Sequence, residues 1–319
     1  MSLTAEQLAI RKHGLGSSEI AAVCGVNPFR KPIDVFLEKT GRAEPFEETP
    51  QTKLGQRLER QIAEIYAEER GCDLTPGATV IGREPWMIAT PDFLVGPVAE
   101  RRVLECKNVG YRVAHHWPEG EMPEYVRIQN LWQQEVVGVH AGDVAALIGG
   151  RDFRIVDSPY DKDIVESLVE IGGAFWHDHV LKDIAPAVDG SDSWAAYIKA
   201  RWPSDMTPPI EAGPDADEFA RRLGIARAEM KWAEEERAEV ENELKVLIGE
   251  AAGMRSELGW SISWRHSKSG GTDWKGVVES IRKCLIIAGP ETVNLEARIR
   301  DYERPGPRIF RFTPPKDAK

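Results

Sequence analysis

One stretch, MIATPDFLVGPVAERRVLECK at residues 87–107, constrains this chain more than any other. An apolar run ending at Thr90-Pro91-Asp92, turn chemistry at Gly96-Pro97 and a second run at 102–107 predict two strands joined as a hairpin. Side chains alternate along a strand, so Glu105 and Lys107 share one face and Leu104 and Cys106 the other. The Asp closing the first strand then falls beside the Glu and Lys of the second. Converging carboxylates repel unless a cation lies between them, and oxygen ligands of this kind suit Mg²⁺ or Mn²⁺. A lysine in the same pocket has its ammonium disfavoured by burial and by the cation, which moves its pKa down toward general-base duty. These groups together suit hydrolysis of a phosphodiester. The same spacing also fits an amphipathic surface hairpin carrying an ordinary Glu–Lys pair.

The 319 residues, 42% hydrophobic and 29% charged, allow one large domain or two ordinary ones. No apolar run reaches membrane-spanning length, and the opening MSLTAEQLAIRKHG lacks the apolar core of a signal peptide. A cytoplasmic protein with no membrane contact is expected. Cys24, Cys72, Cys106 and Cys284 are scattered and form no CxxC pair, which favours free thiols over zinc or an iron–sulfur cluster. A net charge of −11 argues against a protein that coats nucleic acid indiscriminately, while a local basic channel stays compatible with it.

Along the chain, a helix is expected at 4–13 with Thr4 as its cap. The turn Gly14-Leu15-Gly16-Ser17-Ser18-Glu19 follows, its serines able to cap the next helix or to seat a phosphate with Arg11. Pro32 opens a helix that stops at Gly41, and Leu58, Ile62 and Tyr66 mark an amphipathic helix at 52–69 with Glu59 beside its apolar stripe. A strand at 78–82 precedes the hairpin, and a loop at 111–123 carries His115 and His116. Next come a helix at 123–138 bearing Gln129, Gln133 and Gln134, paired strands at 143–149 and 152–156, and a long helix at 160–181. The proline-bearing stretch 194–214 is the expected linker. Beyond it Phe219, Leu223, Ala226, Met230, Ala233, Val240, Leu244 and Leu247 repeat at alternating four–three spacing, interrupted only by Arg237. That heptad seam predicts a helical hairpin or self-association, with a lone helix packed on the body as the alternative. A strand at 260–265, a polar turn at 266–271, a helix at 274–287 and a strand at 308–312 complete the tail. Residues 259–319 hold 12 Lys and Arg against 7 Asp and Glu, whereas 211–258 hold 7 against 13. A basic, aromatic-bearing tail of this kind suits a DNA-guiding element.

Several of these pieces stand in a recognisable order: Arg11 with Gly14-Leu15-Gly16-Ser17-Ser18-Glu19-Ile20, Gly25 to Pro28, Pro32, Glu38-Lys39-Thr40-Gly41, Gly55-Gln56-Arg57-Leu58-Glu59, Thr90-Pro91-Asp92, Glu105-Cys106-Lys107 and the glutamine helix. Over residues 11–156 the chain resembles the YqaJ-type viral recombinases, a family of PD-(D/E)xK nucleases. The resemblance implies an α/β (α+β), restriction-endonuclease-like core with a mixed central sheet flanked by helices. It divides the chain into a nuclease domain at 1–203 and a C-terminal appendage at 204–319. It also implies Mg²⁺-dependent exonuclease action on linear double-stranded DNA ends, 5′ to 3′, beside a single-strand annealing protein in phage-type recombination. Carried over by motif, Asp92, Glu105, the Cys106 backbone carbonyl and Glu59 would bind two ions, with Lys107 as base or water-orienting group. Arg11, Ser18, Thr90 and Gln129 would form a 5′-phosphate pocket. A homo-oligomer, a trimer among the options, is expected. Two other readings keep the same residues: a structure-specific or single-strand endonuclease, and an inactive DNA-binding recombination scaffold.

Overall fold

The structure, a computed structural model, describes residues 5–43, 49–204, 207–266, 273–288 and 308–313. Its contacts divide the chain into two units, Met1–Met206 and Thr207–Lys319. The first unit opens with α1 (Ala5–Arg11), α2 (Ser17–Val23) and α3 (Pro32–Lys39). Thr4, the expected cap of α1, lies outside the described residues. Neither serine caps α2. Its N-cap is Gly16, whose N–H is taken by the Glu19 carboxylate at 2.7 Å, so the acidic residue three positions on performs the capping. Between them Leu15 bridges to the middle of the chain: its N–H reaches the Trp86 carbonyl at 2.7 Å, and its own carbonyl accepts from Ile88 N–H at 3.0 Å.

Next is α4 (Pro50–Arg70), capped by the Thr49 hydroxyl and stopped by Gly71 at φ 62°. Five strands follow: β1 (Leu74–Pro76), β2 (Val80–Ile81), β3 (Ile88–Ala89), β4 (Phe93–Val95) and β5 (Arg102–Val109). The expected hairpin is rearranged. The run before Pro91, β3, pairs with β2, and it is β4, after Asp92, that pairs antiparallel with β5. Proline has no N–H for a ladder, so Pro91 splits the run in two. Asp92 therefore stands just ahead of β4, and extending the Phe93↔Leu104 register by one residue sets it opposite Glu105. Gly77 holds this corner, donating its N–H to the Asp92 carbonyl at 3.0 Å. A Cβ there would lie 1.8 Å from the Pro91 carbonyl oxygen, so only glycine allows the approach.

After a short 3₁₀ turn at Tyr111–His116 come α5 (Glu124–Val137), β6 (Ala141–Ile148), β7 (Asp152–Pro159), α6 (Lys162–Ala174) with a π-helical extension, and α7 (Asp192–Arg201). α7 occupies part of the expected linker. Ser191 caps it, and Trp194 is buried with its indole N–H on the Ala187 carbonyl, so the stretch belongs to the first unit and the prolines start only at Pro203. The sheet order is β1-β4-β5-β6-β7, with β5 and β6 parallel and the other pairs antiparallel. Ile62, Ala63 and Tyr66 of α4 pack on Leu104, Cys106 and Ala145 from one face. Val126 of α5 packs with Val144, Ala146 and Ile148 on the other. This is the mixed, helix-flanked sheet that the resemblance implies.

The second unit contains α8 (Pro214–Ile248), β8 (Gly253–Arg255), β9 (Ser261–His266), α9 (Trp274–Ala288) and β10 (Arg308–Thr313), with the strands in the antiparallel order β10-β9-β8. The heptad segment is one continuous 35-residue helix and not a helical hairpin. Residues 267–271 of the expected polar turn lie outside the described residues.

Helix α4 is fastened to the sheet by a polar cluster. The Tyr66 hydroxyl donates to Asp143 Oδ2 at 2.7 Å, and Arg102 grips both Asp143 oxygens at 2.6 and 2.7 Å. Burial works to raise the Asp143 carboxyl, but the hydrogen bonds from Arg102 and Tyr66 and the Arg102 charge outweigh it and hold its pKa below the ordinary value. A carboxyl lowered by folding stabilises the native state above its unfolded pKa of about 3.9, and that contribution is lost as pH falls through the folded value. Denaturant titrations are thus expected to show stability falling below about pH 4, with part of the slope removed in Asp143→Asn. Tyr66→Phe is expected to cost about 1.5–3 kcal/mol at neutral pH.

Candidate functional site

Glu105 lies on β5 and is 4% exposed, so its charge needs partners inside the protein. Three side chains provide them. Lys107, two residues along the same strand face, donates to Oε1 at 2.5 Å. Gln129 donates to Oε1 at 2.6 Å and Gln133 to Oε2 at 2.7 Å. The two glutamines are four apart on α5, and helical spacing puts them on one face. Gln129 Oε1 in turn accepts from Lys107 at 3.0 Å, which closes a ring of three.

Asp92 joins from the β4 side, its Oδ2 accepting the Cys106 N–H at 2.7 Å. Burial, then the charges of Glu105 and Glu59, push its pKa well above the ordinary carboxylate value, against the pull of the Cys106 N–H and Lys107. Glu59, on α4, is thus near enough to be felt by Asp92. It also acts on the Cys106 thiol, which burial and all three carboxylates raise. Lys107 departs from expectation. Burial lowers its ammonium, but the charge and hydrogen bond of Glu105, with the charge of Asp92, outweigh burial and set the pKa above the ordinary lysine value. The expectation weighed burial and a cation and left out the two carboxylates that hold the ammonium.

Among the described residues no three His, Cys, Asp or Glu side chains form a metal-ligating cluster. What the site offers a cation is two neighbouring carboxylates, the charge of Glu59, and a buried Gln133 Oε1 with no hydrogen-bond donor. That set fits Mg²⁺, which keeps several waters and takes one or two carboxylates from protein. Beside Lys107 opens a groove of about 510 Å³ lined by Phe29, Val113, His116, Trp117 and Tyr125. The rings of Phe29 and Tyr125 meet edge to face at 5.9 Å.

The expected phosphate residues do not share one set of contacts. Arg11 donates to Ser18 Oγ at 3.3 Å and lies 3.7 Å from Glu19. Thr90 hydrogen-bonds with Thr79 at 2.9 Å, and Gln129 is committed to Glu105 and Lys107, so neither is hydrogen-bonded into the Arg11 group. The Arg11 group and the Asp92 corner are linked through the framework. The Leu15 bridge ties the Arg11–Ser18 turn to β3, three residues before Asp92 at its far end, and Trp132 of α5 donates to the Ile88 carbonyl at 3.0 Å.

Sequence reasoning gave Glu19 and Lys39 no place in a site, and set Gln133 on the glutamine helix without assigning it a role. Glu19 is fully buried and meets Lys39 at 2.7 Å, with Arg30 at 4.0 Å, and Lys39 also donates to the Arg11 carbonyl at 2.7 Å. Burial works to raise the Glu19 pKa, but the charges of Lys39 and Arg11 and the Lys39 hydrogen bond lower it overall. Burial lowers Lys39 by more than Glu19 restores. A readable signal existed for two of the three: the Gly-Ser-Ser-Glu spacing of a helix start, and the i, i+4 spacing of Gln129 and Gln133.

Comparison with known proteins finds similar chains. Residues 6–140 match the YqaJ-like viral recombinase domain. The resemblance read from the sequence is borne out. YqaJ of Bacillus subtilis (strain 168), itself an uncharacterised protein, is 26% identical over 247 residues, covering 75% of this chain and 76% of the relative. That share exceeds the first unit, so the likeness runs into the second. Among solved structures, the alkaline exonuclease LHK-Exo from Laribacter hongkongensis aligns at 16% identity and a TM-score of 0.49, over 62% of this chain and 97% of that one. A phage-related exonuclease from Haemophilus somnus 129PT aligns at 12% and 0.42, over 54% and 96%.

The buried Glu19–Lys39 pair has a measurable consequence. Glu19→Ala strands a buried ammonium, and a cost of about 3–5 kcal/mol is expected in denaturant titration. Replacing both partners by apolar residues, Glu19→Leu with Lys39→Met, is expected to recover most of it.

Proposed function

We propose that the first unit is a metal-dependent deoxyribonuclease that degrades linear double-stranded DNA from its ends, 5′ to 3′, in phage-type recombination with a single-strand annealing protein. The observation that carries this reading is the convergence of Asp92, Glu105 and Lys107, from two paired strands, on one partly enclosed point. Asp92, Glu105 and the Cys106 carbonyl would hold Mg²⁺ or Mn²⁺, with Glu59 toward a second ion. A cation held there would supply polarisation of a phosphoryl oxygen and a lower pKa for the attacking water. Lys107, kept as an ammonium by Glu105 and Asp92, orients that water and offsets charge building on the phosphoryl oxygens. Gln129 and Gln133 fix the Glu105 and Lys107 side chains, so little reorganisation is needed during reaction. Arg11 with Ser18 would take the terminal 5′-phosphate, because a guanidinium suits a phosphate's oxygens. Thr90 and Gln129, engaged elsewhere, are left to position the corner and the lysine.

Digestion of end-labelled linear duplex tests this, with and without a 5′-phosphate, in Mg²⁺ or EDTA, beside a closed circular control. Linear duplex is expected to be cut only with the metal, and the circle to survive; a cut circle would point to an endonuclease instead. Asp92→Ala, Glu105→Ala and Lys107→Ala are each expected to lower the rate by about a thousandfold or more while the chain stays folded. Full activity in any of them overturns the assignment. Arg11→Ala is expected to slow phosphorylated ends by about tenfold and unphosphorylated ends little.

A further inference from the structure

The second unit carries a surface that the nuclease reading does not use. Helix α8 runs 35 residues and is solvent-exposed along almost its whole length, with Ile248 its one buried residue. Its seam is open: Phe219 is 62% exposed, Leu223 52%, Met230 65% and Leu247 73%. Isolated helices in water are marginal, and most helical stability in proteins comes from packing an apolar face. Something is therefore expected to cover this seam, and the order of its residues says what. We propose that α8 pairs antiparallel with α8 of a second copy of this chain.

The four–three spacing assigns Leu223, Met230, Arg237 and Leu244 to the a positions of the heptad, and Phe219, Ala226, Ala233 and Val240 to d. In a parallel, in-register pair the a positions face one another, so the two Arg237 guanidiniums would meet in the seam. The flanking charges would clash as well: Arg222 against Arg227 of the other copy, Glu229 against Glu234, and Glu236 against Glu241. Turning one helix round changes each of these. With the two-fold axis between residues 231 and 232, a positions face d positions. Phe219 then meets Leu244, Leu223 meets Val240, Met230 meets Ala233, and Arg237 meets the small Ala226. Along one flank Arg227 faces Glu234, and along the other Arg222 faces Glu243, each contact occurring twice by symmetry. The one like-charged contact, Glu229 against Glu236, lies next to Arg237, which supplies the opposing charge. In the single chain Arg237 has an exposed contact with Glu241 at 3.8 Å. Moving the register one heptad either way shortens the seam and leaves fewer opposite-charge contacts than like-charge ones. Ile225 and Trp232 stand on a neighbouring row outside the seam.

The pairing is independent of any nuclease activity and is tested by mass. Sedimentation equilibrium of the full chain is expected to show a concentration-dependent dimer. Arg227→Glu turns two attractive contacts repulsive and is expected to weaken association by about tenfold, and Glu234→Arg by a similar factor. Combining them swaps the charges across the same contact and is expected to restore the dissociation constant to within about threefold. Circular dichroism checks that each variant keeps its helix. In a parallel pair Glu234→Arg would tighten association, because it would face Glu229. That result overturns the proposal, as does a chain that stays monomeric, or an assembly indifferent to both reversals.

Discussion

The arrangement of the first unit depends on one buried anion. Glu105 sits in the middle of a central strand, where an unpaired carboxylate would cost several kcal/mol, and it is held by an ammonium and two amides. Two of those three donors come from α5, so satisfying Glu105 fixes both the rotation and the height of that helix against the sheet. The next residues on α5 complete the docking: Asn130 donates to the Asp143 carbonyl at 3.2 Å and Gln134 to the Ser158 carbonyl at 2.8 Å. Neighbouring rows of one helix thus serve the site and the backbone of β6 and β7. A helix with so many buried amides tolerates little sliding, and this rigidity keeps Lys107 beside Asp92.

A second buried carboxylate organises the start of α2. Glu19 closes the helix start through the Gly16 N–H and gathers Lys39, Arg11 and Arg30 around itself. With Glu38 paired to Arg30, two anions among three cations leave a local positive excess of one in a chain whose net charge is −11. The average field of such a chain repels a polyanion, so a phosphate contact has to be made where cations are concentrated. The two centres are complementary: one collects negative charge that suits a metal, the other positive charge that suits a phosphate. The Leu15 bridge and the Trp132 hydrogen bond hold both to the same short strand.

Much of this was legible in the residues. The periodicity of α4 and α5, the β6–β7 pair and the alternation along β5 all follow from spacing that tertiary contacts then reinforce. The Asp92, Glu105 and Lys107 grouping was readable for the same reason, because strand alternation is a local rule. What the chain concealed was non-local. The two-residue strands β2 and β3 exist only because each finds the other, and Pro91 reads as the end of a strand when it in fact separates two pairings. Glu19 and Lys39 are charged residues 20 apart, and nothing in their spacing says that both are buried. The α7 segment looks like linker until Trp194 is seen inside the core. The sign of the Lys107 shift also required knowing which carboxylates surround it, since burial and ion pairing push a lysine in opposite directions.

The seam on α8 extends this reasoning from one chain to two. An antiparallel pair of identical helices has a two-fold axis, so the contact is self-complementary and closes at two copies. At a rise of about 1.5 Å per residue, α8 is about 50 Å long. The two α8 N-termini would then lie at opposite ends of the paired rod. Arg237 is one of the residues that set the orientation. An apolar residue at that position would remove one penalty of the parallel pairing and leave the like-charged contacts on its flanks, so the arginine contributes more to orientation than to strength.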